Sequence, residues 1–220
     1  MPTFLNTLDL TNIGIQGQRV YFRPRGVAGP RWLDLGNIED LAPELSADEN
    51  TLTTARNGVR QPAKTLTTSS TDTYGFDTLD ITDPAIRALH TGSPAIPFVG
   101  NGGAQGMVRV PGGKMVGELA VLEPGAPETD SALTYFPRVE LKANGKTASG
   151  GTDAGRLSFL ATILPDETYA VPATVDAATP KAPSGYDVVA EASADPIADL
   201  HAILDLLAAP LDADGGAAAP

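Results

Sequence analysis

The segment that most restricts the fold is a threonine-rich stretch at residues 48–82, which holds 10 threonines in 35 residues. Threonine is branched at Cβ, so it loses side-chain freedom in a helix and packs well on the pleated surface of a strand. The stretch is interrupted at Asn57-Gly58, a pair that tolerates positive φ angles and commonly forms hairpin turns. We therefore predict two long strands, with residues 57–64 as a loop or exposed tip because Pro62 cannot donate to a ladder.

Further strands are predicted where apolar and polar residues alternate along the chain. One short strand begins near Trp32 and ends at the turn pair Gly36-Asn37. A second hairpin is predicted across Pro111-Gly112-Gly113, and two more strands follow it; these four segments are residues 107–110, 114–123, 134–143 and 156–164. The count of six to eight strands predicts a mainly β fold.

Two helices are predicted from the residues at their ends. Residues 83–92 begin with Asp83, which can cap free amides, and with Pro84 at the first helical position, and they end at Gly92. Residues 195–210 carry the same Asp-Pro start and a proline at the end, and one face is apolar through Ile197, Leu200, Ile203, Leu204 and Leu207. This face requires a surface, either of its own domain or of an adjacent subunit.

The composition changes near Thr168. The last 52 residues contain 16 alanines and 6 prolines, and they hold 8 acidic residues against 1 basic residue. The residues before them carry 19 acidic and 14 basic side chains, so more than half of the net charge of -12 lies in the last quarter. We therefore predict a domain at residues 1–168, with an N-terminal arm at 1–29, and an acidic Ala/Pro-rich extension at 169–220 that consists of a linker and the second helix.

Composition also excludes several classes of function. The chain has no cysteine, so it forms neither a disulfide framework nor a thiolate metal site. Its acidity argues against a groove that grips phosphates, because nucleic-acid-binding proteins concentrate lysine and arginine. No apolar run approaches the roughly 20 residues that a membrane helix needs, so no membrane association is expected.

The residues that carry chemistry do not form a recognisable catalytic motif. Four glycines, Gly100, Gly102, Gly103 and Gly106, are spaced loosely like a dinucleotide loop, but a strand and a turn follow them where a helix is required. The two histidines, His90 and His201, are far apart in the sequence. Acidic pairs occur at Glu39-Asp40, Asp48-Glu49 and Asp166-Glu167, which are interpreted as solvated loop acids. No catalytic, cofactor-binding or metal-binding residue is predicted, and the chain is expected not to be an enzyme.

The order of these elements resembles that of a known family. The short strand of RWLDLGNIEDL, the Thr-rich strand pair, the helix DPAIRALHTG and the strands TYFPRVELKANG and RLSFLATILPDE follow one another as in the major tail tube proteins of long-tailed (siphovirus-type) bacteriophages. The resemblance covers about residues 28–168. It implies a phage tail-tube β-sandwich or barrel domain with one flanking short α-helix.

The resemblance also implies how the protein acts. Six copies are expected to close into a ring, and the rings are expected to stack into the tube through which phage DNA passes without specific contacts. The implied partners are further copies of the chain, the tape-measure protein and the tail terminator or tip proteins, with no cofactor. The expected location is the virion tail, after assembly in the host cytoplasm.

Two groups of basic residues are candidates for contacts between rings. Arg56, Arg60 and Lys64 surround the expected hairpin tip, and in the family the matching loop commonly contacts the next ring. Arg19, Arg23 and Arg25 lie in the expected N-terminal arm. A solvated basic loop is the alternative for the first group, because exposed ion pairs contribute little.

Other functions are compatible with the same sequence. The main alternative is a monomeric binding or adhesion module on a virion or cell surface. A small hydrolase that uses acidic residues is a further class, and the ring proteins of contractile tails and secretion tubes are close relatives in architecture. The assembly state of the purified protein separates the first alternative from a tube subunit.

Overall fold

The computed structural model describes residues 17–25, 32–56, 59–93, 95–100, 102–125, 130–147, 155–171 and 184–213. At residues 45, 47–56, 59–70, 95 and 209–213 it describes the backbone alone. The predicted turn at Asn57-Gly58, most of the predicted arm at residues 1–29 and most of the predicted linker at 171–184 lie outside the described residues.

The prediction of a mainly β protein is confirmed, since 51% of the chain is strand. Within the described residues there are ten strands and two helices. The strands are β1 (Arg19–Pro24), β2 (Leu33–Asp34), β3 (Ile38–Arg56), β4 (Val59–Thr78), β5 (Ala95–Pro97), β6 (Gln105–Met107), β7 (Lys114–Glu123), β8 (Ser131–Thr147), β9 (Arg156–Ile163) and β10 (Tyr186–Ala190). The helices are α1 (Pro84–Thr91) and α2 (Pro196–Ala213).

Eight of the described strands form one antiparallel sheet, in the order β2-β1-β7-β8-β9-β4-β3, with β10 also paired to β8. Strand β8 is the organising strand because it has three partners. It pairs with β7 along most of its length, with β10 through Ser131–Tyr135 in its first half, and with β9 from Val139 in its second half. Strands β5 and β6 form a separate small hairpin.

A first core lies on one face of the sheet, beneath α1. Strands β1, β4, β7, β8 and β9 all contribute to it, and the rings of Phe76 and Phe159 stack with their centroids 5.5 Å apart. Helix α1 adds Ile86 and Leu89, which are 1% and 5% exposed. Truncation of such side chains to alanine typically costs about 2–5 kcal/mol, so this cluster fixes how the strands pack.

A second core lies on the opposite face, beneath α2. Period-2 alternation divides the two clusters, since Phe22 belongs to the first and its neighbour Tyr21 to the second. Leu200, Leu204 and Leu207 of α2 are fully buried against this face. Strand β10 and helix α2 both come after the predicted boundary near Thr168 in the sequence, yet both contact strands that come before this boundary.

Helix α1 begins and ends at the predicted residues. The Asp83 carboxylate accepts hydrogen bonds from the amides of Ala85 and Ile86, at 2.7 and 3.2 Å. Gly92 ends the helix in the left-handed region at φ 66°. These caps satisfy amides and carbonyls that have no partner within the helix, which explains why local sequence is enough to predict it.

The predicted second hairpin is wrong. Residues 107–110 do not pair with β7; Met107 belongs to β6, which pairs with β5, and Val108 and Val110 are exposed. Strand β7 instead lies between β1 and β8. Strand β7 carries apolar side chains on both faces. These side chains are buried only when β7 has a neighbouring strand at each edge and a core covers each face of the sheet.

Two further predictions are corrected by the structure. Residues 19–24 are not part of an arm, because β1 is paired with both β2 and β7 inside the sheet. Helix α2 does not stop at Pro210 but continues to Ala213. A proline removes the hydrogen bond to the carbonyl four residues earlier, here Leu206, whose side chain lies on the exposed side of the helix where water can replace the bond.

Candidate assembly interface

A long hairpin extends from the edge of the sheet. Strand β4 pairs with β9 only from Thr73 to Thr78, whereas β3 and β4 continue to pair with each other as far as Arg56 and Val59. We call residues 45–56 and 59–72 the ribbon. About twelve residues per strand at 3.3–3.4 Å each give the ribbon a length of about 40 Å.

The ribbon has two open edges within the described part of the chain, because β3 and β4 have no third strand beside them here. Ser46 is exposed, and its hydroxyl donates to the Thr71 carbonyl across the pair at 3.1 Å. Isolated two-stranded hairpins are marginally stable in water, so this ribbon favours additional strand partners.

An arginine of β9 fastens the part of β3 and β4 that lies inside the sheet, residues 38–44 and 73–78, which we call the root of the ribbon; the arginine lies at the end of this root that is farther from the ribbon. Arg156 contacts Glu39 at 2.9 Å, Asp40 at 3.2 Å and Asp77 at 3.9 Å, which ties β3, β4 and β9 together. The register of β3 against β4 shifts between Glu39 and Ala42, and Asp40 has φ 54°, so the backbone is bulged at this point. A bulge bends and twists its strand, so β3 is bent inside the sheet before it continues into the ribbon.

An open groove of about 420 Å³ lies beside this root. Its lining includes the carboxylates of Asp40, Glu44 and Asp77 and the rings of Phe76 and Phe159. Arg156 contacts two of these carboxylates, Asp40 and Asp77. It also contacts Glu39, so both members of the acidic pair at 39–40 are structural partners of this arginine. The groove leaves the surface around the ribbon root negative.

The first group of predicted contact residues lies at the far end of the ribbon. Arg56 pairs with Val59, Arg60 with Ala55, and Lys64 with Leu52, while their side chains lie outside the described residues. Of the two predicted alternatives for residues 57–64, a loop or an exposed tip, the loop is wrong for residues 59–64, because β4 begins at Val59 and these residues form the last pairs of the hairpin. The register shifts between Leu52 and Thr53, opposite Pro62 and Lys64, so the strand accommodates the proline at a bulge.

The second group of predicted contact residues does not form one surface. Arg23 is 2% exposed, which leaves it no surface for a neighbouring subunit, so its assignment to a contact between rings is wrong. Arg25 is partly exposed; it donates to the Pro137 carbonyl at 2.8 Å and pairs with Asp166 at 2.6 Å. Arg19 is partly buried in β1, beside Tyr21. Contacts by Arg19 and Arg25 stay predictions.

Arg23 belongs to a buried polar network beneath α2. Its guanidinium donates to Glu118 at 2.5 and 2.9 Å, the Tyr135 hydroxyl donates to the same carboxylate at 3.1 Å, and the Trp32 ring lies 5.1 Å from the guanidinium carbon. Burial raises the pKa of Glu118, and Arg23 and Tyr135 oppose this shift. The network reaches α2 directly, since Arg23 also donates to the Ala208 carbonyl at 3.4 Å.

Two other contacts hold α2 on the sheet. The Tyr169 hydroxyl donates to the Leu207 carbonyl at 3.1 Å, and His201 Nε2 lies 3.0 Å from the Tyr21 hydroxyl. Burial lowers the pKa of His201, and the charge of Arg19 lowers it further. Burial also raises the pKa of Tyr21 to about 12, so both side chains are neutral near pH 7.

The remaining candidates for catalysis occupy structural positions. His90 Nε2 lies 2.7 Å from the Gly145 carbonyl, and its ring meets Phe159 edge-on. Burial opposes ionisation of Asp166, but hydrogen bonds from Thr168 and Arg25 outweigh burial and lower the pKa of this carboxyl. In the described ranges, no three His, Asp or Glu side chains are grouped so that they can hold a metal ion.

Sequence reasoning did not identify the Arg23–Glu118 pair or the role of Arg156. A signal was present for the pair, because each residue is the one charge inside an apolar strand, VYFRP in β1 and VGELAV in β7. A lone charge in a run that is buried on both faces requires a partner of opposite sign. Arg156 gave no comparable signal, since its three acidic partners lie in two other strands.

Comparison with known proteins does not identify a family for this chain: no protein-family model matches it, and no curated protein matches it. Among the helices that the structure describes, none has both the length and the apolar character needed to cross a membrane.

Proposed function

We propose that this protein is a structural subunit of a bacteriophage tail tube, in which six copies close into a ring and the rings stack around the path of the DNA. The observation that carries the proposal is the ribbon of β3 and β4, which extends about 40 Å past the sheet with open edges. Ribbons of six copies placed side by side pair their edges and close a barrel, which removes the exposed ladders.

The side chains of the ribbon fit a wet bore. Residues 45–72 are rich in threonine and serine and carry three acids and three bases, so both faces tolerate water. A barrel shared between subunits stabilises such a strand pair through its ladders and does not require an apolar core. The domain in this proposal is the tail-tube β-sandwich or barrel domain with α1 at its side, and α2, which covers the second core, lies on the outside of the tube.

The proposal includes the partners and the location. Further copies of the chain form the ring and the stack, a tape-measure protein fixes the length, and terminator or tip proteins end the tube in the virion tail. DNA passes without specific contacts, and the protein is not an enzyme. The groove beside the ribbon root is lined by carboxylates, and an acidic wall repels the phosphates of passing DNA.

Electron microscopy of the purified protein tests this proposal. Concentrated protein is expected to form rings with a central hole or stacked tubes, whereas a particle of 22.7 kDa at every concentration contradicts the proposal and favours a monomeric binding module. A shortened variant provides the control. Replacement of residues 47–70 by Asn-Gly joins the ends of a cross-strand pair, Ser46 and Thr71, and is expected to abolish assembly while the two cores remain folded.

A further inference from the structure

Most of the exposed large apolar side chains in the described part of the chain lie in one loop. Of the eight large apolar side chains that the described residues expose, five lie between residues 96 and 110: Ile96, Phe98, Val99, Val108 and Val110. We call these five residues the loop patch. Val99 is fully exposed, and Phe98 and Val108 are 56% and 57% exposed. Exposed clusters of this kind mark interaction sites more often than scattered apolar residues do.

The loop patch rests on an ordered support. Ala95 and Met107 pair across the β5–β6 hairpin, and the Phe98 amide donates to the Ala104 carbonyl at 2.8 Å. The Phe98 ring covers Gly106 so closely that a Cβ at that position would lie 2.7 Å from it. A supported patch loses little conformational entropy when it is covered, which favours binding.

A second exposed surface lies on β10. Val189 is 72% exposed, and β10 pairs with β8 alone among the described strands, so its other edge is open. Exposed acids surround it, including Asp187, Glu191 and Asp195. We call β10 and these acids the β10 surface. Residues 184–213 contain six acids and no lysine or arginine, whereas the one charge in residues 95–113 is Arg109.

The two surfaces lie at opposite ends of β8. Val189 pairs with Ala132 near the start of β8. The loop patch lies near the other end of β8, because Gly113, which follows the loop, lies close to Gly92 at the end of α1. Two residues before Gly92, His90 Nε2 lies 2.7 Å from the carbonyl of Gly145, near the end of β8. Thirteen residues of strand separate these points by about 40 Å. The loop patch therefore lies beyond reach of the β10 surface in its own chain, and a contact between them requires a second copy.

We propose that the loop patch of one copy packs against the β10 surface of the next copy in a head-to-tail contact. Apolar residues meet apolar residues in this contact, and Arg109 meets a surface whose charges are all acidic. A contact between two different surfaces propagates from copy to copy and closes into a ring when the rotation allows. The inference rests on the proposed function and assigns a second contact to it, separate from the ribbon.

Chemical cross-linking tests this contact cleanly because the chain has no native cysteine. V99C protein and V189C protein are prepared separately, mixed under conditions of assembly and treated with a short bis-maleimide. A cross-linked heterodimer is expected in the mixture, and the double variant V99C/V189C is expected to give a ladder of oligomers. The matched control is V116C mixed with V99C, since Val116 is 39% exposed and belongs to neither surface.

The outcomes separate the inference from the proposed function. Rings in the microscope without a V99C–V189C heterodimer, or with an equal yield from the V116C mixture, overturn the head-to-tail contact and leave the tube proposal in place. Absence of any assembly overturns the tube proposal itself. The V99D variant gives a second measurement: loss of assembly with an unchanged melting temperature is expected, whereas a lowered melting temperature shows that the loop patch is covered within its own chain and contradicts the inference.

Discussion

Arg23 and Glu118 form an ion pair in the interior of the protein, with side chains that are 2% and 4% exposed. The pair connects β1 to β7, and the hydrogen bond from Arg23 to the Ala208 carbonyl extends it to α2. Removal of one partner from a buried pair leaves an uncompensated charge in a medium of low polarity, which is strongly unfavourable. The pair therefore makes the attachment of α2 depend on two charges in the sheet.

The first prediction concerns this pair. Glu118→Leu removes a buried carboxylate that pairs with Arg23 and is expected to lower the free energy of unfolding by about 3–5 kcal/mol in urea denaturation. The double variant R23M/E118L removes both charges and is expected to recover most of this loss. Glu140→Gln is the control, because its partner Lys114 is 53% exposed and such pairs contribute at most about 1 kcal/mol. Equal effects of the Glu118 and Glu140 substitutions contradict the prediction.

The second prediction concerns pH and His201. Its pKa is lower in the folded protein than in the unfolded chain, so the unfolded chain binds more protons below neutral pH and the folded state loses stability as pH falls. Melting temperatures are compared for the wild type and His201→Gln between about pH 7 and about pH 5. The wild type is expected to lose more stability on acidification than the variant. Raised pKa values at Glu118 and Asp34 act in the opposite direction in both proteins, so the difference between the two profiles isolates His201.

The third prediction separates two effects of glycine. Gly92 and Gly112 both have φ 66°, but a Cβ at Gly92 would lie 2.7 Å from the Gly113 Cα, whereas a Cβ at Gly112 meets nothing within 4 Å. Gly112→Ala is expected to cost about 1–2 kcal/mol from backbone strain alone. Gly92→Ala is expected to cost more, because the turn before β7 must move away from α1. Equal costs in thermal unfolding contradict the close approach of Gly92 to Gly113.

The fourth prediction concerns the root of the ribbon. Arg156→Ala removes the cation that links Glu39, Asp40 and Asp77, so the three carboxylates repel and the strands inside the sheet that support the ribbon are held less firmly together. Because these pairs are partly exposed, the stability of the monomer is expected to fall by no more than about 1 kcal/mol, while assembly is lost in light scattering and electron microscopy. Arg138→Ala, at an exposed position of neighbouring β8, is expected to assemble normally. Normal assembly of the Arg156 variant argues against a role for the root.

Local signals predicted the parts of the fold that depend on a few neighbouring residues. Asp83, Pro84 and Gly92 fixed both ends of α1, because caps and left-handed termini are properties of the local chain. The apolar face of α2 was also readable from spacing, since Leu200, Leu204 and Leu207 are buried as expected.

Pairing between distant strands was less predictable. Residues 107–110 alternate between apolar and polar side chains as a strand does, and they lie next to β7 in the sequence. However, β7 pairs with β1, which lies about 100 residues away, and this pairing buries side chains on both faces of β7. The same limit applied to Arg23, whose partner is 95 residues away in the sequence. At the ribbon, Pro62 led to the prediction of a loop or an exposed tip. The strand instead accommodates this proline at a bulge, and such a bulge depends on the register of the opposite strand, which local sequence does not show.

The second core joins the two most distant parts of the described chain, since Tyr21 and His201 are 180 residues apart. On the ribosome, β1 leaves the tunnel long before α2 exists, so Tyr21, Trp32 and Leu122 stay without their cover until α2 has been made. A copy that ends prematurely keeps this apolar face exposed and is a target for chaperones and proteases. Translation as far as α2 is thus required before the second core can be closed to water.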